Sequence, residues 1–316
     1  MSATHNRRPN LFANYAALLG VLAVLLALFS LLSEHFLSVR TFTTLINQIP
    51  DLVVIAVGMT FVVLVAGIDL SVGSVLALGG AALGVAMVDW GWPIPAAVLL
   101  AGAIGLGCGL ANGFVAVRWT VPSFIVTLGM LEIARGGAYL LTDSQTKYIG
   151  ETIGGIGAPI PWLRLSPAVL AALLIVAAGQ IVLDYTRFGR YVFAVGGNEA
   201  AAHLSGLDVR AIKLRVFALS GLLAGIGGVF HCSPLESADP NAGAGMELSA
   251  IAAVVIGGAS LSGGRGSVVN SFLGVLIIAV LQTGLAQVGA SEPAKRLITG
   301  LVIVAAVVAD VYRRRP

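Results

Sequence analysis

The chain has 316 residues, of which 58% are apolar and only 10% charged, with a mean hydropathy of +0.97 and a formal net charge of +3. A water-soluble domain carries roughly a quarter of its residues as charges, so these proportions exclude one, and the apolar runs must face lipid or one another. Forty glycines fit the same class, because helices in lipid approach closely through small residues where hydrophobicity cannot drive their association.

The first apolar run, Ala13 to Leu32, follows Arg7 and Arg8. It is longer than the apolar core of a signal peptide and leads into Ser33-Glu34-His35-Phe36, without a small-x-small cleavage pattern. It reads as an uncleaved first span behind a cytoplasmic tail, residues 1–12. Further spans are predicted at 48–67, 70–88, 93–117, 121–141, 166–184, 214–232, 246–262, 266–289 and 296–312. The expected fold is an all-α integral membrane protein of about ten transmembrane helices, a single domain over 1–316 with both termini cytoplasmic.

The stretch from Asp51 to Val88 is too long for one crossing, for which about 20 residues suffice. It is interrupted by Gly67-Ile68-Asp69-Leu70-Ser71-Val72-Gly73. The chain either turns there at the surface or breaks inside the membrane and lines a cavity. Charge placement favours two crossings. With ten spans and the N-terminus inside, the inner side holds Arg7, Arg8, Arg118, Arg187, Arg190, Arg210, Lys213, Arg215, Arg265, Arg313, Arg314 and Arg315. The outer side holds only Arg40, Lys147, Arg164, Lys295 and Arg296, as the positive-inside rule requires. Basic ends on such an apolar chain signal orientation, not nucleic-acid binding. Leu70-Ser71-Val72-Gly73-Ser74-Val75 is faintly echoed by Leu261-Ser262 and Gly266-Ser267-Val268, a pattern that both internal duplication and chance produce.

No G-x-x-x-x-G-K-[ST] loop is present, so the chain is not expected to hydrolyse ATP itself. HExxH, G-x-S-x-G and Cys-x-x-Cys are also absent, and the four histidines, His5, His35, His203 and His231, lack metal-ligand spacing. Neither catalytic residues nor a metal is expected. Cys108 and Cys232 lie in apolar runs and read as small buried residues.

The longest polar insertion on the basic side is 185–213. Gly196-Gly197 breaks the chain, Asn198 suits a helix N-cap, and Glu199 suits the positive first turn. Ala200-Ala201-Ala202-His203-Leu204-Ser205 favours helix and Gly206 stops it. Two turns are marginal alone in water, so this helix must dock, either in a groove of a cytoplasmic motor subunit or on the membrane surface.

Charges at membrane depth cost about 2.5–3.5 kcal/mol each on insertion scales. Asp69 lies near Ser71 and Ser74, at a solute path or a surface turn. Glu132 and Arg135 are three apart on one helix, so their side chains can pair; they line a path or form a packing ion pair. Ile256-Gly257-Gly258-Ala259-Ser260-Leu261-Ser262-Gly263-Gly264-Arg265-Gly266 reads as a close helix–helix turn, since no strand precedes it and no Lys-Ser/Thr ends it. Glu247, just upstream, is either interfacial or faces a cavity.

Ala56-Val57-Gly58-Met59-Thr60 with Gly67-Ile68-Asp69-Leu70-Ser71-Val72-Gly73-Ser74 resembles the signature of ribose-type ABC transporter permeases. Pro122-Ser123-Phe124-Ile125-Val126-Thr127-Leu128-Gly129 with Arg135-Gly136 is similar to that family's next block. Gly196-Gly197-Asn198, Ala201-Ala202 and Ser205-Gly206 resemble its cytoplasmic loop, and 257–266 its late glycine motif. Four blocks in family order cover about 45–310. The resemblance implies a dimeric bacterial inner-membrane permease, often of identical chains. It implies a cytoplasmic ATPase partner that uses ATP and Mg²⁺, and a periplasmic sugar-binding protein. It favours Gly196, Gly197, Asn198, Glu199, Ala201, Ala202, Ser205 and Gly206 as the ATPase coupling segment. The sequence departs from the family pattern at Val121, at Glu132, where a small or apolar residue is usual, and at Asn270, where glycine is common. Glu132 and Asn270 either alter solute preference or only packing.

The expected solute is a monosaccharide, a ribose-like pentose or a hexose. Neutral sugars call for hydroxyl, amide and aromatic groups rather than a fixed countercharge. Asn47, Thr60, Ser71, Asn112, Ser123 and Thr127 are the candidates, with Asp69 and Arg135 also on the pathway. Alternatives are a related permease for nucleosides or branched-chain amino acids, a proton-coupled secondary sugar transporter using Asp69 or Glu132, and a purely structural membrane subunit.

Overall fold

In the computed structural model the described residues are 11–314. Residues 1–10 of the expected tail, with Arg7 and Arg8, lie outside them, as does Arg315; residues 11 and 12 already belong to the first helix. The apolar runs are helical because a bilayer offers the backbone no water, so each segment must satisfy its own N–H and C=O groups.

Helix α1 (Leu11–Leu32) precedes a short amphipathic α2 (Val39–Gln48), capped by Ser38, whose hydroxyl accepts from the Thr41 amide at 3.2 Å. Pro50 opens α3 (Pro50–Leu64), which is bent by 48° from α2 because proline cannot continue the amide ladder. There follow α4 (Val72–Val88), α5 (Ile94–Arg118), α6 (Ser123–Thr142), α7 (Glu151–Gly157), α8 (Pro167–Tyr185), α9 (Arg187–Gly197) and α10 (Glu199–Leu204). The chain ends with α11 (Val209–Leu235), α12 (Met246–Ile256), α13 (Val268–Gln287) and α14 (Glu292–Arg314). Two two-residue strands, β1 (Lys147–Tyr148) and β2 (Ser237–Ala238), pair antiparallel, Lys147 opposite Ala238.

The protein is an all-α integral membrane protein. Among the described residues six helices are long and apolar enough to cross a bilayer, α1, α5, α6, α8, α11 and α13, or seven if the bent pair α2 and α3 counts as one. Helices α3, α4 and α12 have only 15, 17 and 11 residues. At 1.5 Å per residue these are short of the hydrocarbon thickness of about 30 Å. They are short because the chain breaks at 65–71 and again before Met246.

Helix α11 is the hub, the most buried of the long helices, packed by α3, α4 and α5. A Cβ on Gly105 of α5 would strike the Gly221 carbonyl oxygen, and one on Gly109 the Phe217 carbonyl. Helices α5 and α11 thus meet backbone to backbone, the reason membrane interfaces recruit glycine. Around them Phe61, Met59, Leu64, Leu76, Leu83 and Ile278 are fully buried.

Connections cluster at two ends of the bundle. At one end the α5–α6 turn, the end of α3, α10 and the start of α11 surround a cavity of about 640 Å³. At the other, β1 and β2 pack on α4, α7 packs on the end of α11, and Asp51 of α3 bonds His231 at 2.7 Å. Both cysteines are free thiols.

Candidate functional site

Most of the break at 65–71 is buried, with Ala66 exposed and Ile68 and Leu70 half-buried. Gly67, Asp69 and Ser71 are closed off from solvent, while Ala66 turns the chain at a φ of 57°. Buried non-helical backbone survives only where other groups satisfy it, and the first turns of α6 supply them. The Ser123 hydroxyl accepts from the Ile68 amide at 3.0 Å, and the Thr127 hydroxyl accepts from the Leu70 amide at 3.0 Å. Asp69 holds the far side of the break. Its Oδ1 accepts from the Ser71 amide at 3.0 Å and the Ser71 hydroxyl at 2.6 Å, and its Oδ2 accepts from Ser220 of α11 at 2.9 Å. The Asn112 amide of α5 donates to the Ser71 hydroxyl at 3.0 Å. Five sequence candidates, Asp69, Ser71, Asn112, Ser123 and Thr127, therefore join one polar cluster bridging α4, α5, α6 and α11. The side chains of Asp69 and Ser71 face into the protein, while Val65, Ala66 and Gly67 border the cavity at the α10 end of the bundle.

A second interruption faces the first. Residues 239–245 leave β2 and re-enter the bundle before α12 begins. Arg135 of α6 donates through one guanidinium nitrogen to the carbonyls of Pro240 at 2.6 Å and Ala242 at 2.8 Å. Arg135 and Glu132 form no ion pair among the described residues, which corrects the expected pairing. The Pro240 and Ala242 carbonyls lie outside any helix, so no amide ladder satisfies them and Arg135 supplies their donor. Tyr139 donates to Asn241 Oδ1 at 2.7 Å. Gly243, at a φ of 70°, lies against the Gly73 carbonyl at the start of α4, and a Cβ on Gly73 would strike Gly243 and the Glu247 carboxylate. The two interruptions thus meet at a glycine pair.

The basic-side segment contains more helix than expected: α9 precedes the predicted short helix. Asn198 caps α10 by accepting from the Ala201 amide at 2.9 Å, worth about 1 kcal/mol. Ser205 and Gly206 close it, Gly206 at a φ of 82°. Ala202 is buried, whereas Leu204 is 87% exposed. Glu199 pairs with Lys213 at 2.7 Å, partly exposed and worth under about 1 kcal/mol. Gly196 is wedged against the Leu64 carbonyl, the last of α3, which also accepts from the Gly264 amide at 2.9 Å. The end of α9, the late glycine segment and the start of the break therefore share one contact. A Cβ on Gly197 meets nothing.

Two candidates lie apart from the cluster. The Thr60 hydroxyl is 2.6 Å from the Ala56 carbonyl and 2.8 Å from the Ser271 hydroxyl, joining α3 to α13. Asn47 donates to the carbonyls of Thr43 and Arg164, and accepts from the Ser166 amide at 2.7 Å, tying α2 to the start of α8. The sequence placed a connection between the spans ending at 232 and beginning at 246, but not its contacts with Arg135, Tyr139 and Gly73.

The family described as "branched-chain amino acid transport system / permease component" matches residues 41–307, spanning both interruptions and α9–α10. The chain belongs to this family. Among curated relatives, the permease is 40% identical to the ribose import permease protein of Escherichia coli (strain K12), over 92% of this chain and 91% of that one. It is 39% identical to the ribose import permease protein of Bacillus subtilis (strain 168), over 92% and 90%. It is 33% identical to the fructose import permease protein of Rhizobium meliloti, over 92% and 83%. No solved structure matches the permease.

Proposed function

We propose that the chain is the permease subunit of an ATP-binding-cassette importer that carries a monosaccharide, a ribose-like pentose or a hexose, across a bacterial inner membrane. The observation that carries this reading is the 40% identity with a ribose import permease along 92% of the chain. The fructose relative extends the class from pentoses to hexoses. The chain supplies the passage. ATP and Mg²⁺ are used by a cytoplasmic ATPase subunit, and a periplasmic sugar-binding protein delivers the solute.

In this reading the chain crosses ten times as one domain, with both termini and the 1–12 tail cytoplasmic, and two copies enclose the passage. The twelve basic residues expected inside, against five outside, support that orientation. Residues 185–213 form the coupling segment. Helix α10 offers the exposed Leu204 to a partner groove. A push on it reaches Leu64 through Gly196, and from Leu64 enters the break that Ser123, Thr127 and Ser220 hold. The cluster of Asp69, Ser71, Asn112, Ser123 and Thr127 then acts as the movable wall of the pathway, and Arg135 holds the second interruption beside it.

The test is uptake of radiolabelled ribose, xylose and fructose into proteoliposomes holding the permease, its ATPase and its binding protein. The reading expects uptake that needs ATP and survives an uncoupler. Uptake abolished by the uncoupler would replace it with proton coupling. A binding protein that takes branched-chain amino acids instead of sugars would replace the solute class.

A further inference from the structure

Glu132 is the tenth residue of the 20-residue α6. At 1.5 Å per residue it sits about 13 Å from one end and about 15 Å from the other, at the midplane of a helix that crosses the bilayer. Its side chain is exposed on the single chain, and it has no hydrogen-bond or ion-pair partner among the described residues. Arg135, the nearest cation along the helix, is committed to the carbonyls of Pro240 and Ala242. Ionisable groups at this depth face a protein interior or water, not lipid. The helix leaves the carboxylate open, since a Cβ on Gly129 or Gly136 meets nothing. Tyr139, two turns on and on the same face, places its hydroxyl against the exposed Asn241 of the second interruption.

We infer that Glu132 lines the aqueous passage between two copies of the chain at mid-membrane and is a specificity-determining residue, its two carboxylate oxygens accepting hydrogen bonds from adjacent hydroxyls of the passing sugar. The inference rests on the proposed importer reading. A carboxylate offers parallel acceptors about as far apart as the hydroxyls of a vicinal diol, so it distinguishes sugars by the orientation of neighbouring hydroxyls. The same residue from the second copy approaches from across the two-fold axis, so the passage is lined only when both copies are present. The charge at Glu132 sets this position apart both from the exposed Ile125 and Leu128 before it on α6 and from apolar positions such as Leu174 on α8.

Two measurements on the assembled complex in proteoliposomes test this. First, Glu132→Cys and Leu174→Cys are treated with a charged, water-soluble thiol reagent, and labelling is read at each site by peptide mass, with Cys108 and Cys232 followed as internal references. Labelling at 132 and none at 174 is expected; equal absence at both overturns the inference. Second, ATP-driven uptake of ribose and its epimer arabinose is compared in Glu132→Gln and Glu132→Leu at equal recovered complex. A fall of about tenfold or more in Glu132→Leu is expected, with a changed ribose-to-arabinose ratio in Glu132→Gln, which keeps one acceptor. Parental rates and ratio in both variants overturn it. Failure of the parent to take up any sugar would instead sink the importer reading, while labelling at 132 would still report the water-lined face.

Discussion

Gly73, at the start of α4, and Gly243, in the segment before α12, lie backbone against backbone, and neither has room for a methyl group toward the other. That contact joins the two places where the bundle departs from helix. One interruption is held by hydroxyls of α6, the other by its arginine, so α6 acts as a common brace for both.

Gly73→Ala and Gly243→Ala should each destabilise the assembled complex by about 1–3 kcal/mol, the usual cost of overpacking. Gly243→Ala carries the further strain of a left-handed φ. Melting of the purified complex checks this, with Gly20→Ala as control, since a Cβ there meets nothing and alanine suits a helix better than glycine.

Arg135→Ala should free residues 239–245. Each charge-assisted bond to the Pro240 and Ala242 carbonyls is worth about 1.5–3 kcal/mol. Hydrogen exchange within 239–245 should rise and uptake should fall at least tenfold. Arg135→Lys keeps the charge but presents it at a single point without the guanidinium's planar fork, so an intermediate effect is expected.

Asp69→Asn exchanges one acceptor oxygen for a donor among groups that all donate to it. Uptake should drop more than in Ser220→Ala, which removes one bond. A double-mutant cycle between the two should give a coupling energy of about 0.5–3 kcal/mol; additive effects would mean that the Asp69–Ser220 bond contributes nothing.

Local signals made part of this legible. Asn198 and Gly206 marked both ends of α10 because caps and left-handed stops are properties of a few neighbouring residues. The glycines at 67 and 73 bracketed the first interruption for the same reason. What lies across the bundle was not legible. In lipid a polar residue reports that some group needs a hydrogen-bond partner, and the partner can be a solute or another helix. Thr60 and Asn47 were chosen on polarity, yet their bonds run to Ser271 and Arg164. Glu132 and Arg135 sit at pairing distance along the helix, but the competing carbonyls of Pro240 and Ala242 lie far away in sequence. Helices α3, α4 and α12 are shorter than the apolar runs that contain them, because glycine-containing turns end the helix while the sequence stays apolar.

Gly196→Ala and Gly197→Ala form a contrasting pair. A methyl at 196 pushes into the Leu64 carbonyl and the Gly264 amide, whereas one at 197 enters open space. The first should separate ATP hydrolysis from uptake in the assembled complex, leaving turnover of ATP with at least tenfold less sugar moved. The second meets no clash within the chain, so the purified permease should melt as the parent does.

The most direct test of the account is where α10 sits in the working complex. Leu204→Cys, 87% exposed on the chain alone, is treated with a short bifunctional thiol reagent in membranes holding the permease and its ATPase. The account predicts a cross-link to the ATPase subunit whose yield changes when ATP is added. A Leu204→Cys that reacts with reagents only from the periplasmic side, or that forms no adduct with a nucleotide-hydrolysing subunit, would contradict it.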